Sequence, residues 1–243
     1  MKTINLNHVA VISVDNTKTF EDASYKELYV QEGEQAAQAT KKLIDLLQPY
    51  GALIVNVFEQ HPRGHISFAD NYLDKKPFDM IAYKEVKDWT EENHGLALGA
   101  EFTVKELQSF LKTVGSQMLW PQHSKDRTDS AELMEPLKKD DFAITVIKGT
   151  NPAKEAYSGF DETDLDKKLT ENQIQKVVLG GVATDYCVGK TALDAVDKGY
   201  EVIVVDDAVR GVASESTQVM IENFAQNNIR YVTLKELENI LFA

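Results

Sequence analysis

The chain has 243 residues and a formal net charge of −13, from 26 Lys and Arg against 39 Asp and Glu. This acidic balance argues against a nucleic-acid-binding protein, because phosphate contacts require clustered basic residues. No stretch approaches the ~18 unbroken apolar residues of a membrane span and no secretory signal pattern is visible, so we expect a soluble, cytoplasmic protein without a membrane partner.

Six short runs rich in β-branched residues predict strands. In chain order they lie at 9–14, 52–57, 143–147, 176–179, 201–205 and 229–233. The runs are almost continuously apolar, which is typical of parallel strands covered on both faces. Helical patterns lie at 36–47, 104–114, 187–196, 214–224 and 233–241. The pairs Thr103–Glu106 and Thr233–Glu236 predict capping boxes, and Ser214 is the expected cap of a further helix.

Alternating strands and helices predict an α/β fold. We expect three α/β/α layers around a six-stranded, mainly parallel, doubly wound sheet. Residues 1–243 are expected to form a single domain, since no low-complexity linker divides them. The stretch 70–122 is long for one crossover connection and predicts a loop-rich insertion with one helix.

Three residues with acid–base or nucleophilic side chains come at the ends of predicted strands, where reactive groups gather in such sheets. Asp15 follows the first strand, Lys148 follows the third, and Cys187 follows the turn 180–186 and opens a helix. The plainer interpretations are a turn aspartate, a solvated lysine and a small buried apolar residue. Together, the three offer a base, a cation and a nucleophile for acyl transfer at an amide. The helix start would lower the pKa of the thiol and supply N–H groups to an oxyanion.

A carboxylate and several histidines indicate a metal site. Glu59 and His61 project to the same side of an extended segment, His65 follows four residues on, and His123 lies in a later loop. Such a set suits zinc, iron or manganese. The alternative is that His61 and His65 are ordinary polar loop residues.

Several stretches, in order along nearly the whole chain, resemble the nicotinamidase/pyrazinamidase branch of the isochorismatase-like hydrolases. They are Val14-Asp15, HPRGHISF at 61–68, LWPQH at 119–123, IKGT at 147–150, AYSGF at 156–160 and GVATDYCV at 181–188. The last stretch is highly specific. The resemblance implies the isochorismatase-like hydrolase fold and the hydrolysis of nicotinamide, and of pyrazinamide, to the acid and ammonia, with a role in NAD salvage.

The resemblance also implies catalytic roles. Cys187 would be the nucleophile of a thioester mechanism, Asp15 its base and Lys148 the third catalytic residue. The backbone N–H groups of Ala183 and Cys187 would hold the oxyanion, beside a cis peptide bond at Val182-Ala183.

The same resemblance implies a ligand set and a substrate pocket. A divalent metal, zinc first with iron or manganese as alternatives, would orient the pyridine nitrogen. Its ligands would be Glu59, His61 and His123, with His65 as a further candidate. The aromatic walls of the pocket would be Phe20, Trp120 and Tyr157.

Two departures from the family pattern leave other functions open. Thr17 stands where a glutamine is usual, and Glu59 where the first metal ligand is normally aspartate. The first alternative is a related cysteine amidohydrolase that acts on another small amide or carbamoyl compound. The second is a catalytically weak metal-binding or interaction protein. A homo-oligomer is also expected from the resemblance.

Overall fold

Six parallel strands form the central sheet of the computed structural model, which describes residues 4–21, 25 and 27–242. In chain order the strands are β1 (Val9–Val14), β2 (Leu53–Glu59), β3 (Met80–Ala82), β4 (Ser116–Met118), β5 (Ile144–Lys148), β6 (Lys176–Val182), β7 (Glu201–Arg210) and β8 (Arg230–Val232). The central sheet has the order β5-β2-β1-β6-β7-β8, and its neighbouring pairs are all parallel. The predicted six-stranded, doubly wound sheet is therefore confirmed.

Helices cover both faces of this sheet. They are α1 (Gly33–Leu47), α2 (Tyr83–Val86), α3 (Val104–Val114), α4 (Leu165–Glu171), α5 (Gly189–Asp197), α6 (Ser214–Gln226) and α7 (Leu234–Phe242). Helices α1 and α7 contribute to one core, with Val11 of β1, whereas α4, α5 and α6 contribute to the other, with Ile12 of β1. Neighbouring side chains of β1 thus enter opposite cores, which explains why its sequence is apolar without alternation. Within the described ranges, every helix is too short or too polar to span a membrane.

The predicted insertion at 70–122 contains more regular structure than one helix. Besides α3 it holds the short α2 and an antiparallel pair of strands, β3 and β4. A small third core fills this region, with Ile81, Leu107 and Leu111 fully buried. The organisation of residues 1–243 as a single domain stays a prediction.

The expected cap at Ser214 is wrong. Ser214 is the first residue of α6, and the preceding cap position is Ala213, which has no side chain to accept a hydrogen bond. The carboxylate of Asp185 accepts instead, from the N–H groups of Val212 at 2.9 Å and Ala213 at 3.2 Å. A carboxylate from another segment thus satisfies donors at this helix start, which local sequence could not reveal.

The order of strands places the site. The chain fills the sheet outward from β1 through β2 to β5, then returns to the opposite side of β1 with β6. A crevice therefore opens at the carboxyl ends of β1 and β6, where the strand order reverses. Val14 pairs with Gly181 across this junction, and Glu59 pairs with Lys148 between β2 and β5.

Candidate active site

The ammonium group of Lys148 lies at the centre of the candidate site. Its Nζ is 3.1 Å from Asp15 Oδ2, 3.2 Å from Glu59 Oε2 and 3.4 Å from Cys187 Sγ, and it donates a hydrogen bond to the carbonyl of Ala156 at 3.0 Å. The Lys148 side chain is fully buried. The structure therefore brings together the three predicted catalytic residues and joins them to the predicted metal ligands. The interpretation of Lys148 as a solvated lysine is wrong.

Asp15 is aimed into the site by the turn that ends β1. Its φ of 48° lies in the left-handed region, which aspartate tolerates better than most residues. The Asp15 N–H donates to the carbonyl of Val57 on β2 at 2.8 Å. This bond extends the strand pairing for one residue while the side chain turns toward Lys148.

The turn after β6 fixes the thiol. Gly181 has a φ of 126°, and a Cβ there would lie 1.9 Å from the carbonyl oxygen of Val14. The Val182-Ala183 peptide bond is cis, as expected. Residues Thr184–Val188 then form one π-helical turn that leads into α5, with Cys187 inside it and 7% exposed. Only glycine allows the ends of β1 and β6 to approach this closely.

Burial and charge set the protonation states of this group. Burial raises the pKa of Asp15 to about 6, although Lys148 opposes the rise. Burial also raises the pKa of Cys187 well above 9.0, and Asp15 and Glu59 add to it while Lys148 opposes it. The expected lowering of the thiol pKa is therefore wrong, because desolvation outweighs the attraction of Lys148. Burial disfavours the charge on Lys148, but the facing carboxylates and thiol hold its pKa well above 10.5. At neutral pH, the site holds a thiol beside an ionised carboxylate.

The predicted metal ligands converge on one point. Glu59 Oε1 lies 3.1 Å from His123 Nε2, and Glu59 Oε2 lies 3.4 Å from His61 Nε2. The Nδ1 atoms of His61 and His123 contact the carbonyl oxygens of Gly149 at 2.9 Å and Pro121 at 2.8 Å. Because a carbonyl only accepts, both Nδ1 atoms carry protons, so Nε2 is the nitrogen that can bind a cation.

Unpartnered polar atoms test whether a cation fits here. Among the described residues, the buried atoms Glu59 Oε1 and His61 Nε2 make no hydrogen bond of good geometry, although each faces a polar atom of the cluster, at 3.1 and 3.4 Å respectively. Burial opposes a charge on His123, but Glu59 outweighs it and raises the pKa of His123 above 6.5. A divalent cation would satisfy the orphaned atoms and displace that proton. The three side chains therefore fit a metal ion.

His65 lies beside this cluster, with its ring centroid 4.2 Å from that of His61. The backbone N–H of Ser67 donates to His65 Nδ1 at 3.3 Å, so this nitrogen is unprotonated, and Nε2 donates to the carbonyl of Lys154 at 2.9 Å. Burial holds the pKa of His65 well below 6.5. Both nitrogens of this neutral ring are engaged, and its role as a ligand stays a prediction.

A pocket opens over Cys187 and Glu59. All three predicted aromatic residues line it: Phe20, Trp120 and Tyr157. Four further lining residues were not predicted: Leu28, Glu155, Tyr186 and Val212. Tyr186 directly precedes Cys187 and Glu155 directly precedes the stretch 156–160, so their neighbours could have indicated them. Leu28 and Val212 lie in segments that carried no signal.

Hydrogen bonds orient the aromatic wall. The hydroxyl of Tyr157 accepts from Gln117 Nε2 at 2.9 Å and from Trp120 Nε1 at 3.2 Å. With both lone pairs engaged, the Tyr157 O–H can only donate. The ring of Tyr186 stands edge-on to Trp120, with centroids 4.8 Å apart. The result is a flat, apolar slot with a few polar groups at its edges, as small aromatic ligands require.

Thr17, the first departure from the family pattern, is fully buried. Its hydroxyl has no hydrogen-bond partner among the residues that the structure describes. Nothing in the structure explains the choice of threonine at this position.

Comparison with known proteins gives one family. The model of the isochorismatase domain matches residues 9–236. A nicotinamidase of Escherichia coli is 30% identical over 191 residues, which cover 76% of each chain. The solved structure of a Pyrococcus horikoshii pyrazinamidase in complex with zinc is 31% identical, with a TM-score of 0.68 over 93% of this chain and 99% of that one. Yeast nicotinamidase bound to the inhibitor nicotinaldehyde is 25% identical, with a TM-score of 0.72 over 93% and 99%.

Proposed function

The chain belongs to the isochorismatase family, and from this membership we propose that it is a nicotinamidase that hydrolyses nicotinamide to nicotinate and ammonia. The observation that carries the proposal is the joint presence, in one aromatic pocket, of Cys187 with its carboxylate and lysine and of the Glu59 cluster. Pyrazinamide, with a ring of the same size and the same carboxamide, fits the same slot. The reaction would serve NAD salvage.

In the first half of the reaction, the Cys187 sulfur attacks the carboxamide carbon. Because burial keeps the thiol protonated, Asp15 takes its proton as the S–C bond forms. Lys148, 3.4 Å from the sulfur, stabilises the negative charge that develops there. The backbone N–H groups of Ala183 and Cys187 receive the carbonyl oxygen as its charge grows. Asp15 then gives its proton to the amide nitrogen, the C–N bond breaks, and ammonia leaves behind a thioester.

In the second half, a water molecule attacks the thioester carbon. Asp15, again ionised, takes a proton from this water, and the same N–H groups hold the oxyanion. The C–S bond breaks, Asp15 returns the proton to the sulfur, and the acid leaves as nicotinate after its carboxyl proton passes to solvent. Glu59, His61 and His123 would hold a divalent metal, zinc first with iron or manganese as alternatives, which when bound polarises the pyridine nitrogen and orients the ring.

Ammonia release from nicotinamide by the purified, zinc-loaded protein tests this function. We expect activity in the wild type, its loss in Cys187→Ala, and its loss after treatment with a chelator, with recovery when zinc is restored. Activity that survives chelation would contradict the metal's part while leaving the thioester chemistry in place. An inactive wild type would overturn the nicotinamidase proposal and turn attention to other small amides, for which Glu59 and Thr17 are the distinguishing residues.

A further inference from the structure

The aromatic pocket contains a carboxylate, that of Glu155, for which the proposed reaction has no role. Glu155 lines the pocket together with Glu59 and His123. One of its oxygens lies within 4.8 Å of a ring nitrogen of His61 and of one of His65. Glu155 thus faces the metal cluster from the substrate side.

Glu155 forms no ion pair with a Lys or Arg within the described part of the chain. Glu155 Oε2 accepts a hydrogen bond from Gln117 Nε2 at 3.1 Å, and Oε1 accepts from the N–H of Ala156 at 3.0 Å. Both donors are neutral, and Glu155 is partly buried. A carboxylate held in this way is fixed in position but keeps its charge available to a cation.

A dication held by Glu59, His61 and His123 would gain from the negative charge of Glu155. Glu59 is shared, because its Oε2 lies 3.2 Å from the ammonium of Lys148 and 3.4 Å from His61 Nε2. Lys148 therefore neutralises part of the charge that Glu59 would present to a dication. His65 cannot compensate, since both of its nitrogens are engaged by neighbouring groups.

We propose that Glu155 is a second carboxylate of the metal site, which raises the affinity of the site for a divalent cation. The inference rests on the metal site of the proposed function. Glu155 would face the ion from the pocket, whereas both nitrogens of His65 are already engaged. The carboxylate acts on the ion through water bound to it, as outer groups at metal sites commonly do.

Zinc affinity, measured by competition with a chromogenic chelator, tests the proposal. Glu155→Gln keeps an acceptor for Gln117, but loses the charge and the acceptor for the N–H of Ala156. We expect its Kd for zinc to rise by about tenfold or more. The matched control is Glu162→Gln, which removes the same charge from an exposed residue of the same segment, paired with Lys154 and Asn151. It should stay within about twofold of the wild type.

Thermal unfolding separates this role from a structural one. Metal-free Glu155→Gln should melt no more than about 4 °C below the metal-free wild type, because it loses one hydrogen bond, from the N–H of Ala156, and breaks no ion pair. Added zinc should raise its melting temperature by less than it raises that of the wild type. A wild-type Kd in Glu155→Gln, an equal loss in Glu162→Gln, or a marked drop in melting temperature without metal would overturn the proposal. Zinc binding is measured without substrate, so a failure of ammonia release leaves this result interpretable.

Discussion

Lys148 carries its ammonium between two buried carboxylates, Asp15 and Glu59. The substitution Lys148→Met removes the cation, leaves Asp15 without a counter-charge and leaves Glu59 with His123 alone. We expect it to lower the free energy of unfolding by about 3–5 kcal/mol, the cost of breaking a buried pair on one side, and to abolish ammonia release. Urea denaturation of the metal-free protein measures this change.

Lys176→Met is the matched control for Lys148→Met. Lys176 is paired with Glu201 at 3.3 Å, and this carboxylate is half-exposed. Its loss should cost less than ~1 kcal/mol, as for other exposed pairs. If the two substitutions lower the free energy of unfolding equally, the buried carboxylates do not make the loss of Lys148 costlier than the loss of an exposed partner.

The pKa of Asp15, raised by burial to about 6, predicts how the reactivity of Cys187 depends on pH. The base must be ionised to take the thiol proton, so reactivity is full above this pKa and falls as pH drops through it. Alkylation of metal-free protein by iodoacetamide should therefore be roughly tenfold slower at pH 5 than at pH 7. In Asp15→Asn, the step near pH 6 should disappear, and the rate should rise only where the thiol itself ionises. A wild-type rate that is flat between pH 5 and 7 would exclude Asp15 as the base.

At the scale of single residues, position after a predicted strand was enough to predict which side chains lie together in the site. Asp15, Lys148 and Cys187 follow different strands, and parallel strands bring such ends to one edge of a sheet. The thiol's protonation was not predictable from this placement, because the helix start was visible in the sequence whereas the degree of burial was not. Glu155 was missed for a related reason. The residues that it contacts or faces, Gln117 and His61, lie 38 and 94 residues away in the chain.

Among the elements, the turn after β6 leaves the least space for a side chain, at Gly181. A Cβ at Gly181 would meet the Val14 carbonyl oxygen at 1.9 Å, in a backbone conformation that L side chains rarely adopt. Gly181→Ala should therefore push β1 and β6 apart at the site and lower the free energy of unfolding by about 3 kcal/mol or more. It should also reduce ammonia release, since Asp15 and Cys187 follow these two strands.

Gly199→Ala is the control that separates the effect of the close contact at Gly181 from the effect of its backbone conformation. Gly199 has a φ of 91°, but a Cβ there would have no atom within 4 Å. Its cost should be limited to the ~1–2 kcal/mol of a left-handed residue, with activity unchanged. If Gly181→Ala is no worse than Gly199→Ala in urea denaturation, the close approach of β1 and β6 is not limiting.

Long, apolar elements were predicted more accurately than short or polar ones. The long apolar runs of β1, β2 and β7 were unambiguous, whereas β3 and β4 have three residues each, too few to show a period. Helix α4 has the sequence LDKKLTE and buries only Leu165 and Leu169, so its pattern was too weak to be recognised. Strand ends were also placed too early: β7 was predicted to end at residue 205 and runs to Arg210.

Across the whole molecule, the doubly wound order places two separate chemistries at one edge of the sheet. The proposed nucleophile comes from the side of β6, Glu59 of the proposed metal cluster from β2, and Asp15 at the end of β1 lies between them. Lys148, from the outer strand β5, reaches back to contact both halves. The hydrogen bonding of the sheet therefore helps to set the position of Cys187 relative to Glu59.

The depth of the thiol has a consequence for metabolism. Cys187 is 7% exposed and lines the aromatic pocket. The carboxamide of free nicotinamide also occurs, unchanged, in every intact molecule of the dinucleotide from which nicotinamide is released. There the ring nitrogen is bonded to a ribose. In the orientation proposed for the substrate, this ribose would occupy the position that faces Glu59, His61 and His123. The proposed orientation therefore predicts an enzyme that hydrolyses the free amide and leaves the intact coenzyme alone.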